Sequence, residues 1–561
     1  MKKIIEIGII VLFLGVSVVS GLEVDQTHSS KNLGPGNTLY VGGDGPSNYT
    51  KIQYAINNAS NGDTVYVYSG TYYEYITVAK SITLTGEDKN TTIIDAQSPP
   101  PGPNAHCVLK IYSDGVTIDG FTIKNGIAGV YHYKSNNHNI YGNIITNNHY
   151  YGIALEESSY NNIYDNIITE STHSSGLFLI YSPNNNISGN TIIKNCGYGI
   201  HLQDSTPVNI CGNIITENDW HGINGDCYTS IISGNTITKN GYSGIYMMGS
   251  NNILSWNTIS NNDRCGIELI CGTSNDIQRN SIANNSNQGI LLKWANNNNV
   301  YGNNIIDNKG DGIDIDFSGG NNISDNIIKN NSNGIYVHEI CESNIISENN
   351  ITDNNGVGVY LDATSFTAST IIYHNIFINN NQNAYDIYNE PLYSIWGGNY
   401  WDDYTGEDND SDGVGDTPYP VGELNWDFYP CMSPDNWPNI PPHPPLVYFE
   451  QFKPRSYRFY LSAIDLDRDN VFIYIDWGDG TNTNWLGPYG SGESIIIEHQ
   501  WFKKGTYEIK AKAKDIHDAE GYWSKTFPIT ITRTRTYNPL ILRLLERFPH
   551  TFPILRHLIG L

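Results

Sequence analysis

The sequence is short of basic residues, of methionine and of long apolar runs, and each shortage removes a class of function. Only 31 Lys and Arg stand against 57 Asp and Glu, a formal net charge of −26 over 561 residues. Nothing offsets phosphate repulsion, so a nucleic-acid partner is not expected. There are four Met, and the one adjacent pair, Met247-Met248, faces opposite ways in a strand. Soft ligands are therefore lacking and no copper site is expected. Beyond the first 20 residues no run is long and apolar enough to span the ~30 Å bilayer core.

What is present begins with a leader. Lys2 and Lys3 precede the apolar run Ile7 to Val19, and the small residues Ser20 and Gly21 follow. This reads as a signal peptide over 1–21; as a membrane anchor the run is short. The protein is expected to be secreted or held at the cell surface. The acidic excess is uneven. Up to residue 449 there are 16 basic and 44 acidic residues, and from Glu450 onward 15 and 13. That change marks a domain boundary.

A repeat decides the architecture. Gly followed by Ile, Leu or Val recurs at Gly129, Gly152, Gly176, Gly199, Gly222, Gly244, Gly266, Gly289, Gly312, Gly334 and Gly358. A second column is Asn, from Asn143 through Asn257, Asn280 and Asn303 to Asn375. The period of 22–24 residues is too short for paired helices, and the Ile, Tyr, Thr, Asn and Gly of each repeat suit strands and turns. In Gly199-Ile200-His201-Leu202, Ile200 and Leu202 share one face and His201 takes the other. One coil cannot bury its own apolar face, so coils must stack. The fold class is thus all-β: a right-handed parallel β-helix of roughly a dozen coils, on the order of 55–60 Å long at ~4.8 Å per coil. Stacking places Cys227 and Cys271 two coils apart, beyond the ~7 Å Cα limit of a disulfide. Most Cys are expected to be small buried thiols. A short helix capped by Thr50 and running to Ala59 is expected to close the N-terminal end.

The run Ile52-Gln53-Tyr54-Ala55-Ile56, then Gly62-Asp63-Thr64-Val65, then Gly70-Thr71-Tyr72 resembles the start of pectin-lyase-fold β-helices. The Asn-x-Ile and Gly-Ile columns resemble NosD-type and carbohydrate-binding/sugar-hydrolysis (CASH) repeats. Gly398-Asn399-Tyr400-Trp401-Asp402-Asp403-Tyr404 and Gly413-Val414-Gly415-Asp416-Thr417-Pro418-Tyr419 resemble the close of NosD-like domains. The resemblance covers 39–431. It implies the fold, and it leaves open lyases, hydrolases, adhesins and accessory factors.

A Pro-rich linker is expected over 432–445. Beyond it, Asp476-Trp477-Gly478-Asp479-Gly480-Thr481 with His499, Trp501, Gly505, Tyr507 and Ile509 resembles a polycystic-kidney-disease (PKD) type β-sandwich over 446–532. The amphipathic, basic tail 533–561 is broken by Pro549 and Pro553. It lies on a membrane surface, is read as a retention signal, or docks on its own sandwich. It is similar to tails of archaeal exported proteins.

Two constellations could carry chemistry. Asp408, Asp410 and Asp412 alternate, Gly413 follows, Val414 offers a carbonyl and Asp416 sits ninth. This is calcium-loop spacing through position nine, with Tyr419 where the usual Glu would stand and Asp402 or Asp403 as substitutes. Calcium is the expected cofactor, in a structural role. The second constellation follows from the coil register, which gathers Glu268, Lys293, Asp314, Asp316, Tyr336, His338, Tyr360 and Asp362 on one outer sheet, with Tyr246 on the same stripe. The carboxylates, Lys293 and His338 are candidate catalytic groups for glycoside hydrolysis or uronate elimination. Tyr246, Tyr336 and Tyr360 are candidate sugar-stacking rings. Three readings follow: a glycan-binding or adhesive β-helix whose partner is a polysaccharide or cell-surface glycan; a polysaccharide lyase or glycoside hydrolase; and a NosD-like accessory to a metalloenzyme.

Overall fold

The computed structural model describes residues 36–97, 106–362, 370–387, 394–423, 425–435, 437–453, 455–532 and residue 547. The expected leader, and all of the expected tail except Arg547, lie outside the described residues. No helix among the described residues is long and apolar enough to cross a membrane.

From Thr38 to Asp427 the chain coils through three sheets of 18, 14 and 15 strands, parallel except where Tyr419–Pro420 meets Trp426–Asp427, and most of the strands are three or four residues long. At ~4.8 Å per coil the rod is roughly 70 Å long. The expected dozen coils is an undercount, because the sheets continue past both ends of the Gly and Asn columns. Successive coils lie in register: Ile245 pairs with Ile267 and Ile267 with Ile290, and all three are fully buried. The interior is a stack of such Ile, Leu and Val columns, which no single coil could desolvate alone.

The Gly column has a steric cause. A Cβ on Gly312 would lie 2.4 Å from Ile328 Cγ2 and 2.6 Å from the Gly334 carbonyl, so the corner where the second sheet begins admits only glycine. The Asn column is a buried hydrogen-bonded ladder. Asn257 N and Nδ2 donate to Asn280 Oδ1 at 3.0 and 2.9 Å, and Asn280 donates onward to Asn303. Each Nδ2 also donates to a carbonyl of the preceding coil, as Asn280 does to Leu254. The turn backbone is thereby satisfied without water. At its C-terminal end the ladder stops on a carboxylate: Asp427 Oδ2 accepts from Asn399 N, Asn399 Nδ2 and Trp401 Nε1. Two further Asn ladders run through Asn218, Asn240 and Asn262 and through Asn275, Asn298 and Asn321.

The N-terminal end is covered by one short helix, Ile52–Asn58, with Ile52, Ala55 and Ile56 buried. The expected Thr50 cap is not made. Glu74, about one coil on, accepts from Ile52 N and Gln53 N instead. All eight Cys are free, and four of them, Cys227, Cys265, Cys341 and Cys431, are buried.

The C-terminal module packs a three-stranded antiparallel sheet (Leu446–Lys453, Ser456–Ser462, Ile495–Gln500) against a four-stranded one (Leu486–Tyr489, Val471–Asp476, Gly505–Lys514, Phe527–Ile531). Phe459, Trp477, Trp501 and Ile509 fill its core. His499 stacks on Trp477 at 4.4 Å between ring centres and meets Asp479 at 3.0 Å. The segment expected as a Pro-rich linker carries no strand among its described residues but is docked. Ile440 is fully buried among Ile395, Val414, Tyr429 and Leu466, and Tyr429 Oη donates to the Pro442 carbonyl. The segment therefore seats the module on the rod end through Ile440 and the Pro442 carbonyl.

Candidate functional site

The outer-sheet candidates lie on the second sheet, on the strands Ile245–Met248, Ile267–Ile270, Ile290–Lys293, Ile313–Asp316, Ile335–His338 and Val357–Asp362. Lys293, Asp316, His338 and Asp362 are register partners in one column. Glu268, Leu291, Asp314, Tyr336 and Tyr360 form the next. Residues that alternate outward on a flat strand are ordinarily solvated, yet Asp314 and Asp316 are only 6% and 5% exposed. Neighbours one coil away cover them.

His338 is the hub. Its Nε2 lies 2.9 Å from Asp314 Oδ1 and its Nδ1 3.7 Å from Asp316 Oδ1. Lys293 Nζ donates to Asp316 Oδ2 at 2.5 Å, and Gln288 Nε2 to Asp314 Oδ2 at 2.8 Å. The Asp314 hydrogen bond, opposed by burial and helped by the charges of Asp314 and Asp316, raises the His338 pKa above its ordinary value. Asp316 Oδ1 is buried and makes no hydrogen bond. Tyr336 Oη donates to Asp362 Oδ2 at 3.2 Å; burial and that carboxylate push its hydroxyl up to about 12. The rings continue the cluster along the axis, with His338 stacked on Tyr336 at 4.5 Å, Tyr336 4.9 Å from Tyr360 and Tyr360 5.4 Å from Tyr385.

Glu268 and Tyr246 stand apart from this cluster. Glu268 Oε2 accepts from Ser243 Oγ at 2.6 Å, and Tyr246 packs on His221 at 4.9 Å. The two groups are joined by residues that sequence reasoning missed, the position just before each column Gly. Cys265 Sγ meets Gln288 Oε1 at 3.3 Å, and Gln288 reaches Asp314. Asp311, in the same position, accepts from Asn333, and burial raises its pKa. The signal was legible as the series His221, Ser243, Cys265, Gln288 and Asp311, polar or reactive at one fixed offset. Aromatic residues flank the face: Trp220 stacks on Tyr242 at 5.6 Å on one side, and Trp294 lies 6.1 Å from Phe317 on the other.

The acidic loop is brought together in part. One carboxylate oxygen from each of Asp408, Asp410 and Asp412 lies within 4.8 Å of the others. Burial, followed by the neighbouring carboxylates, raises Asp412. The Val414 side chain is buried in the junction core. Asp416 instead accepts from Asn409 N and Nδ2. Asp403 accepts from Tyr419, and Asp402 accepts from Asn379 and Asn383.

Two family models match the chain: "Periplasmic copper-binding protein (NosD)" over residues 56–226 and "Right handed beta helix region" over residues 257–395. No curated protein matches. Among solved structures, the PKD domain of an M14-like peptidase from Thermoplasmatales archaeon SCGC AB-540-F20 is 41% identical, over 17% of this chain and 99% of that one, with a TM-score of 0.16. The A-module of Azotobacter vinelandii mannuronan C-5 epimerase AlgE4 is 16% identical over 61% and 94%, with a TM-score of 0.40. The Dettilon tailspike protein is 14% identical over 83% and 90%, with a TM-score of 0.36.

Proposed function

We propose that this right-handed parallel β-helix protein is an exported surface protein that binds a neutral, hydroxyl-rich polysaccharide along the outer face of its second sheet. The observation that carries this reading is the run of rings from His338 through Tyr336 and Tyr360 to Tyr385, abutting the hydrogen-bonding cluster of Lys293, Asp314, Asp316 and Asp362. Ring faces suit the C–H faces of sugars, and carboxylates and ammonium groups suit their hydroxyls. Five carboxylates, those of Glu268, Asp311, Asp314, Asp316 and Asp362, stand against Lys293 and His338, so an anionic chain would be repelled here. A glycan array probed with the full chain and with Tyr336→Ala/Tyr360→Ala, with and without calcium, tests the reading. Wild type should retain neutral glycans that the variant loses; equal retention would remove the face from the account.

A second reading, glycoside hydrolysis, is supported by the pair Asp314 and Asp316. Their Cα atoms, two residues apart on one strand, are ~6.6 Å from each other, and Asp311, whose carboxyl burial raises above its ordinary value, stands close by as the candidate general acid. New reducing ends released from a bound glycan by wild type, and not by Asp311→Asn, are its expected signature. The acidic loop at Asp408, Asp410 and Asp412 is proposed as a structural calcium site beside the junction with the sandwich.

A further inference from the structure

The C-terminal module carries a second cluster on the outer face of its four-stranded sheet, unconnected with the rod's candidate face. A cavity of about 290 Å³ is lined by Tyr474, Asp476, Trp485, Lys512, Glu520 and Trp523. This is at the lower edge of the ~300–1,000 Å³ usual for small-molecule sites. The local fold explains the convergence. Tyr474 and Lys512 are cross-strand partners, so both project from the same face. Trp485 follows the Asp476–Thr481 hairpin. Trp523 is set beside the strand by Gly521 N and Ser524 N, which donate to the Ala513 and Ala511 carbonyls.

The rings enclose an ammonium. Lys512 Nζ lies 5.2 Å from the Trp523 centre, 5.3 Å from Trp485 and 5.9 Å from Tyr474, and it pairs with Glu520. Two more lysines occupy the alternate positions of the same strand. Lys514 lies 5.1 Å from the Trp485 centre and pairs with Asp518. Lys510 lies 4.3 Å from the Trp523 centre and makes no ion pair among the described residues. Trp523 is 39% exposed. The three lysines share this face with three carboxylates: Glu520 and Asp518 pair with Lys512 and Lys514, and Asp476 is the cross-strand partner of Lys510.

We infer that this cavity is a binding site for one unit of an acidic polysaccharide. The C–H face of a sugar ring lies on Trp523 and Trp485, and its carboxylate or sulfate is taken by Lys510 and by Lys512, which exchanges its Glu520 partner for the ligand. Neither feature alone would select such a ligand: rings without cations take neutral sugars, and lysines without rings take any anion. Elsewhere the acidic body repels an acidic chain, so binding is confined to the module. The inference stands independently of the glycan reading of the rod.

The test uses the full chain with polygalacturonate oligomers and, separately, dextran sulfate, followed by tryptophan fluorescence and calorimetry. Binding of either is expected to weaken at least tenfold in Trp523→Ala, to fall several-fold in Lys510→Gln, and to weaken as salt rises. Asp314→Ala on the rod should leave it unchanged. Trp523→Phe, which keeps a ring, should retain part of the affinity and separates ring loss from misfolding. The inference is overturned if neither probe binds, if Trp523→Ala binds as wild type does, or if the same substitutions abolish only a concentration-dependent self-association. That last result would assign the face to the acidic body of a second copy.

Discussion

His338 is in register with Asp316, yet its ring reaches diagonally to Asp314, with Nε2 2.9 Å from Asp314 Oδ1. The ring thus spans two buried carboxylates on one strand and couples two columns of the sheet.

The pairing has a pH consequence. The folded pKa of His338 is raised above its unfolded value. Its stabilising contribution is therefore fully present below about pH 6.5 and is lost as pH rises through the folded value. Truncating a charge-assisted hydrogen bond of this kind costs on the order of 1.5–3 kcal/mol. The difference in Tm between wild type and His338→Gln should be large at pH 6 and shrink steadily toward pH 9. A difference independent of pH would contradict the assignment.

Asp427 gives a dependence of the same sign in a lower pH window. Burial outweighs the hydrogen bonds from Asn399, Tyr429 and Trp401 and raises it to about 6. A carboxyl raised in the folded state binds its proton more tightly there than when unfolded, so its contribution worsens as pH climbs from about 4 to about 6. Asp427→Asn removes the buried charge and extends the Asn ladder by one amide. Between pH 5 and pH 7 wild type should lose stability relative to Asp427→Asn; parallel profiles in thermal melts would refute this.

Asn280→Ala deletes one rung of the principal ladder. It leaves Asn257 N buried without a partner, leaves Asn257 Nδ2 with the Ile232 carbonyl alone, and removes the amide that donates to the Leu254 carbonyl, at about 1–3 kcal/mol for each unsatisfied group. A loss of at least about 3 kcal/mol is expected in urea unfolding, with hydrogen-exchange protection reduced most in the adjacent coils. A loss under about 0.5 kcal/mol would show that the ladder is incidental.

If Asp408, Asp410 and Asp412 hold calcium, the ion stabilises the fold by mass action, by about 2.7 kcal/mol at one hundred times its Kd. Calcium should raise the Tm of wild type, chelator should reverse the gain, and Asp410→Asn should abolish it. An unchanged Tm in millimolar calcium would leave an ordinary acidic turn.

The architecture was legible because identical positions recur at a fixed period and a strand's faces alternate; Ile200, Ile223 and Ile245 could be stacked from spacing alone. The candidate cluster was legible for the same reason, since Lys293, Asp316, His338 and Asp362 occupy one column. Corners were not. Cys265, Gln288 and Asp311 sit where alternation fails, so period-two reasoning gives them no direction. Nor could spacing show that Glu74, rather than Thr50, meets the first helix, because that contact depends on how two successive coils are offset.

The most direct test is calorimetric titration of the full chain with the neutral glycan best retained on the array, beside Asp314→Ala/Asp316→Ala brought to matched stability. Wild type should bind and the double variant should lose at least tenfold in affinity, with acidic-glycan binding by the C-terminal module undisturbed. Undiminished affinity in the double variant would mean that the outer face of the second sheet is not where the polysaccharide lies.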